Sequence, residues 1–257
     1  RRDVRGGGWS IAEILERRSR LARRNPGRAR GERVIAANID QVVVVFALRK
    51  PEPHPAMLDR FLVIAEANGL AARVVVNKVD LADEAEGRAL FGVYEAIGYP
   101  LHLTSCRTGH GLAALHDALR GRTSALTGPS GAGKSSLLNA MYPGLELRVG
   151  EISQSVNKGR HTTVGAHLHP LPDGGFVMDT PGLREIGLWG IPGHGLDGCF
   201  PELRALRDRC RFGDCRHLAE PGCAVRTALD SGNIAPTRYA SYEKLLREAS
   251  ADHRWEG

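Results

Sequence analysis

The apolar pattern breaks the chain into short blocks of two alternating kinds. Residues 42–48 are apolar without interruption and rich in valine, and Asp40 and Pro51 bound them. Such a run predicts a strand buried on both faces. Residues 57–68 place Leu58, Phe61, Leu62 and Ala65 at helical spacing, with Gly69 as the stop, which predicts a helix. The alternation continues with strands at 72–76, 100–105, 122–127 and 175–178 and helices at 81–97, 112–120 and 135–141. Strands alternating with helices predict a parallel, doubly wound α/β sheet.

The ends read differently. Before Arg33 there is a glycine turn at Gly6-Gly7-Gly8 and a strand or short helix over 9–15, too little to close a core. After Gly182 comes loop-like sequence around Trp189, Gly190, Pro192, Gly193 and Gly195, then a helix at 201–209 and a last helix at 236–249. These breaks divide the chain at 1–33, 34–190 and 191–257.

Charge sharpens the first division. Residues 1–33 carry eleven arginines against four acids, a net of +7, while the whole chain is +6. An excess so confined points to a phosphate-rich partner for this segment. Aromatic residues are only 5% of the chain, so backbone contact fits better than base stacking. No apolar run approaches the roughly 20 residues of a membrane span, and no secretory signal is visible. The five cysteines are an odd number and do not read as a disulfide framework. They suit a reduced cytoplasmic protein with a metal site.

Six motifs carry chemistry. Gly128-Pro129-Ser130-Gly131-Ala132-Gly133-Lys134-Ser135, with Ser136 after it, has P-loop spacing between a predicted strand and a predicted helix. Its backbone N–H groups can wrap phosphates at a helix N-terminus, Lys134 can neutralise them and Ser135 can ligate Mg²⁺. Asn77-Lys78-Val79-Asp80 ends another strand and resembles the guanine-selecting motif of GTPases. A carboxylate at Asp80 accepts from guanine N1–H and the exocyclic amine; Asn77 is expected at the other edge of the base and the Lys78 stem over its face. Thr104-Ser105-Cys106 resembles the companion loop whose backbone meets the guanine oxygen. Asp179-Thr180-Pro181-Gly182 matches a DxxG switch, Asp179 serving Mg²⁺ through water and Gly182 the γ-phosphate. Between P-loop and switch, either Thr162 or Thr163 of the Gly159–Thr163 stretch can complete the Mg²⁺ shell.

The motif order is permuted: the guanine motif precedes the P-loop. Strand pairing does not depend on where a chain is cut, so the same sheet can form. The last motif is Cys210-x4-Cys215-x-His217-x5-Cys223. Three thiolates and one imidazole suit a closed, structural zinc site. Cys106 and Cys199 lie outside that set.

Together these motifs resemble the RsgA (YjeQ) family of bacterial circularly permuted GTPases, over about residues 18–248. Ala37-Asn38-Ile39-Asp40-Gln41, Glu220-Pro221-Gly222-Cys223-Ala224-Val225 and Arg238-Tyr239-x2-Tyr242 add to the match. The resemblance implies a circularly permuted GTPase sheet at 34–190. The end of an OB-fold barrel precedes it at 1–33, and a small helical zinc domain follows at 191–257. It further implies GTP hydrolysis, a monomer, binding to the small (30S) ribosomal subunit and its 16S rRNA, and stimulation by that subunit. The alternative is a nucleotide-dependent scaffold that switches a protein partner without RNA; a P-loop kinase or ATPase is disfavoured by Asp80. Three departures stand out: most of the OB-fold is absent, Cys106 replaces a small residue such as Ala, and Val164 replaces a third Thr. Leu183 occupies the place of the water-orienting Gln of Ras-like enzymes and cannot hold water, which turns attention to His161 as the catalytic group. The switch also leads straight into the zinc segment, so nucleotide state is expected to reposition residues 199–257 against the core.

Overall fold

The computed structural model describes residues 13–24, 32–147, 167–179 and 195–252. Six strands form the main sheet: β3 (Gln41–Ala47), β4 (Ala71–Asn77), β5 (Leu101–Leu103), β6 (Thr123–Thr127), β7 (His167–Pro170) and β8 (Phe176–Asp179). Their order is β5-β4-β3-β6-β8-β7. All neighbours are parallel except β7, which runs antiparallel to β8 at the edge. The sheet is therefore mixed, not wholly parallel as the alternation implied. A four-residue His-Leu-His-Pro strand is too short and too polar to show in a periodicity.

β3 lies at the centre and all seven of its residues are buried, as its unbroken β-branched run requires. Helices α1 (Pro55–Ala67) and α2 (Glu84–Ala96) cover one face of the sheet, with Leu58, Leu62, Phe91 and Tyr94 in that core. Helices α3 (Leu112–Leu119) and α4 (Lys134–Met141) cover the other, with Leu115, Leu119, Leu137 and Leu138. The expected helix at 81–97 resolves into a 3-10 turn, Val79–Leu81, and then α2, which starts where Asp83 caps the Ala85 N–H.

The N-terminal segment departs from expectation. Residues 13–15 are irregular, whereas β1 (Arg20–Arg24) and β2 (Glu32–Ala37) form an antiparallel pair. β2 runs across the 33/34 division. The arginine-rich β1 gives no alternating apolar signal, yet its Leu21 is fully buried. The Ala37–Gln41 motif fastens this pair to the sheet. Asn38 accepts from the Arg18 N–H at 2.9 Å, Ser19 Oγ donates to the Ile39 carbonyl at 2.6 Å, and Asp40 accepts from the Thr123 N–H at 2.7 Å.

The C-terminal part holds α5 (Pro201–Arg204), a 3-10 turn (Arg207–Arg209), α6 (Ala224–Asp230) and α7 (Pro236–Asp252). The expected helix at 201–209 is thus broken in two, and α6 gave no sequence signal. This part has its own core around Phe200, Leu203, Val225, Tyr242 and Leu246, and Val63 of α1 belongs to it. α1 is consequently apolar on two sides: one packs on the sheet, the other on the C-terminal part. At that junction Arg238 lies fully buried between Asp59 (2.6 Å) and Glu202 (2.7 Å). Tyr94 donates to the same Asp59 at 2.8 Å, and the guanidinium sits 4.6 Å from the Phe200 ring centre. Burial alone would lower the Arg238 pKa, but the two carboxylates outweigh it and raise it. Arg204–Glu66 (2.7 Å) and Arg60–Glu248 (2.5 Å) extend the contact. A shift of residues 199–257 against the core would have to break this network, so any rearrangement there must carry α1 with it.

Candidate functional site

The loops after β3, β4, β5 and β6 meet at the carboxyl ends of the parallel strands, where open α/β sheets place their ligands. The P-loop turn is built on glycine. Gly128 has φ +131° and a Cβ there would stand 2.0 Å from the Val45 carbonyl oxygen; at Gly133, φ +95°, it would stand 2.3 Å from Asn77 Nδ2. No other residue lets the loop approach its neighbours so closely. Ala132, Lys134 and Ser135 are buried, Ser130 and Gly131 are exposed, and Ser136 is half-buried. Lys134 Nζ donates to the Gly128 and Pro129 carbonyls, each at 2.9 Å. This arrangement can hold an anionic phosphate chain at the start of α4.

Asn77 is engaged within the protein. Its side chain is 1% exposed and its Nδ2 donates to the Ala132 carbonyl at 3.0 Å. Its Oδ1 faces Thr104 Oγ1 at 3.4 Å and Cys106 Sγ at 3.8 Å. The amide is a strut joining three loops. Lys78 crosses the same gap, with Nζ donating to the Lys50 carbonyl and, at 2.7 Å, to that of Gly131.

Asp80 ends this loop with a fixed carboxylate. Ser105 Oγ donates to it at 2.5 Å and Arg107 Nε stands 2.9 Å away. The Ser105 bond holds the Asp80 pKa below the ordinary carboxylate value against the effect of burial, with help from Arg107. Ser105 is itself held by the Arg107 and Thr108 N–H groups. Arg107 is 74% exposed, so it is a movable partner. Sequence reasoning gave it no role, although its place just after Cys106 was the available signal. Asp179 closes β8 beside Leu126 of β6, bringing the end of that strand to the same edge as the P-loop. His161, Thr162, Thr163 and Gly182 lie outside the described residues.

The second cluster is at the far end of the C-terminal part. The ligand atoms of Cys210, Cys215, His217 and Cys223 all lie within 4.8 Å of one another. His217 Nδ1 is 3.5 Å from Cys210 Sγ and 3.4 Å from Cys223 Sγ, and those two sulfurs are 3.9 Å apart. A tetrahedron with metal–sulfur bonds of about 2.3 Å and metal–nitrogen bonds of about 2.0 Å has edges of this size, so the residues fit a four-coordinate ion. Burial pushes the Cys223 thiol up, but the Arg226 N–H at the head of α6 and the facing His217 outweigh it and lower its pKa. That favours the thiolate a metal needs. Asp197 Oδ2 lies 3.8 Å from His217 Nε2, on the ring nitrogen opposite the cluster. Glu220 accepts the N–H groups of Arg216, Leu218 and Ala219. Tyr239 donates to the His217 carbonyl at 2.5 Å and Tyr242 to that of Arg216 at 2.8 Å. α7 thereby clamps the loop that carries the ligands.

Comparison with known proteins gives a consistent result. The model of the RsgA GTPase family matches residues 14–189. The small ribosomal subunit biogenesis GTPase RsgA of Gemmatimonas aurantiaca is 61% identical over 240 residues, which cover 93% of this chain and 78% of that protein. Its counterpart in Azotobacter vinelandii is 45% identical over 245 residues, covering 94% and 70%. Among solved structures, YjeQ from Thermotoga maritima superposes with a TM-score of 0.76 at 37% identity, over 92% of this chain and 77% of that one. YloQ, a circularly permuted GTPase, gives 0.72 at 32%, over 93% and 75%. Among the described residues, no helix is long and apolar enough to cross a membrane.

Proposed function

The chain belongs to the RsgA GTPase family, and from that premise we propose that it hydrolyses GTP on the small ribosomal subunit during its late maturation in the cytoplasm. The observation that carries this reading is the Asp80 carboxylate, fixed by Ser105 at the rim of the P-loop site. Guanine offers that carboxylate two donors in a fork, and adenine does not. The biogenesis role named for the relatives makes an RNA-free scaffold the weaker reading.

In this reading the N–H groups of residues 130–136 and the Lys134 ammonium grip the phosphates. Asn77 and Lys78 hold the P-loop against the guanine loop, Asp80 selects the base, and the Cys106 backbone meets its oxygen. Ser135, Thr162 or Thr163, and Asp179 would hold Mg²⁺, which would neutralise charge on the phosphates. Gly182 meets the γ-phosphate. His161 orients or deprotonates the attacking water, because Leu183 cannot. Cys210, Cys215, His217 and Cys223 hold a zinc ion whose task is structural. Residues 1–33, with β2 continuing to Ala37, are the end of an OB-fold. Their arginines and the C-terminal domain meet 16S rRNA.

Coupling to the subunit runs through α1. The loop before it touches the P-loop through Lys50 and Lys78, and α1 carries the C-terminal part on Asp59. The GTP form binds the subunit tightly and the GDP form weakly. The test is co-sedimentation of the protein with purified small subunits in GDP and in a non-hydrolysable GTP analogue. Retention with the analogue and release with GDP is the expected result; equal retention in both removes the coupling.

A further inference from the structure

At the end of the sheet opposite the P-loop, two arginines share one neutral acceptor. Gln41, 1% exposed at the start of β3, turns its Nε2 to the Ala118 carbonyl and Ser124 Oγ, each at 2.9 Å. Its Oε1 then accepts from Arg73 Nε at 3.2 Å and Arg122 Nη1 at 3.3 Å. The two guanidinium groups are brought together by the same oxygen. Arg73 Nη1 also lies 2.8 Å from His102 Nε2. Since Arg73 can only donate, this nitrogen of His102 is the acceptor and the ring is neutral.

Among the described residues, no carboxylate pairs with Arg73 or Arg122. The remaining nitrogens of both, Arg73 Nη2 and Arg122 Nε and Nη2, make no hydrogen bond there. Asp40, the residue before Gln41, is engaged by the Thr123 N–H and faces Arg18 at 4.0 Å. Each arginine lowers the comfort of the other: burial and the Arg122 charge both act to lower the Arg73 pKa. Two forks of donors held together without counter-charge fit a tetrahedral oxyanion, whose oxygens take paired N–H groups.

Position favours a polyanion. Arg122 is exposed and Arg73 half-buried, so the pair opens to the surface. Arg18 and Ser19, within the basic N-terminal segment, are fastened to Asn38 and Ile39 at this same end of the sheet. Arg18, whose side chain is 75% exposed, and this pair therefore lie at one end of the sheet, remote from the nucleotide loops.

We propose that Arg73 and Arg122, set by Gln41, form a phosphate-gripping site for the RNA backbone on the floor of the GTPase sheet. It extends the proposed rRNA contact into a part of the fold not known for it from sequence, and it rests on that reading. The test uses the full chain and a fluorescein-labelled RNA hairpin, titrated by anisotropy across a potassium chloride series. Arg73→Gln/Arg122→Gln should lose about tenfold in affinity at low salt, and its salt slope should fall by about one. Arg73→Lys/Arg122→Lys keeps the charge and should keep the slope. Arg88→Gln, on the outer face of α2 and paired with Glu84 at 3.2 Å, should change affinity less than twofold.

A second measurement needs no variant. Phenylglyoxal modification of the wild-type chain, mapped by mass spectrometry, should show Arg73 and Arg122 protected by the hairpin and far less by inorganic phosphate at equal ionic strength. Protection by phosphate or by a glutamate-rich peptide, with none from RNA, overturns the RNA assignment. An unchanged slope in the Gln variant, or no protection by any probe, overturns the site. Failure of the wild-type chain to bind RNA at all would instead strike the rRNA reading itself.

Discussion

Arg238→Met asks whether the C-terminal part and the GTPase core are one body. The substitution keeps most of the side chain's apolar volume but removes its charge. It leaves Asp59, 1% exposed, and Glu202, 7% exposed, facing each other without a cation. Removing one partner of a buried pair costs about 3–5 kcal/mol, because an uncompensated charge stays in the interior. The lost contact with the Phe200 ring, 4.6 Å away, adds about 1 kcal/mol. For a chain of this size each kcal/mol is worth roughly 2–4 °C, so the melting midpoint should fall by about 8–24 °C. Equilibrium urea unfolding, followed by circular dichroism, gives the same quantity as a free energy. The control is Asp59→Asn/Glu202→Gln/Arg238→Met, in which no charge remains, and it should recover more than half of the loss. A single-mutant cost under about 1 kcal/mol would refute the idea that this network pins the C-terminal part to α1.

Other outcomes follow from the two sites. Asp80→Asn should lose preference for GTP and gain xanthosine nucleotides, because an amide donor replaces a carboxylate acceptor. Arg107→Ala should tighten guanine nucleotide binding by up to about fivefold, since an exposed pair with Asp80 holds less than about 1 kcal/mol; weaker binding would show that Arg107 instead helps hold the base. Stripping metal with a chelator should melt residues 199–235 while guanine nucleotide still binds, and metal analysis of native protein should find one zinc per chain. Burial, with Arg73 beside it, pulls the His102 pKa from 6.5 to about 4. The stability gained by keeping it neutral is therefore present above pH 6.5 and lost as pH falls towards 4. His102→Gln should flatten that part of the pH–stability curve; an unchanged curve would remove His102 as its cause.

What the sequence revealed depended on how local each signal was. The strand at Gln41–Ala47 and the P-loop turn are written in consecutive residues, so periodicity and spacing find them. The four metal ligands lie within fourteen positions, and their spacing is enough. The buried pair Arg238–Asp59 joins residues 179 positions apart, and nothing near either one marks it. β1 was hidden by its three arginines, which suppress the apolar alternation, and β7 by its length. Asn77 was found by motif, but its bond to the P-loop was not. The motif gives the residue type, while the bond to the Ala132 carbonyl depends on packing against a loop 55 residues away.

The central claim is that this chain is a GTPase driven by the small ribosomal subunit. GTP turnover should be measured with and without purified small subunits, with ATP and large subunits as controls. Slow hydrolysis alone, a large increase with small subunits only, no turnover of ATP, and no increase for His161→Ala with GTP binding intact are the expected results. Turnover unchanged by small subunits, or raised equally by large ones, would contradict the account.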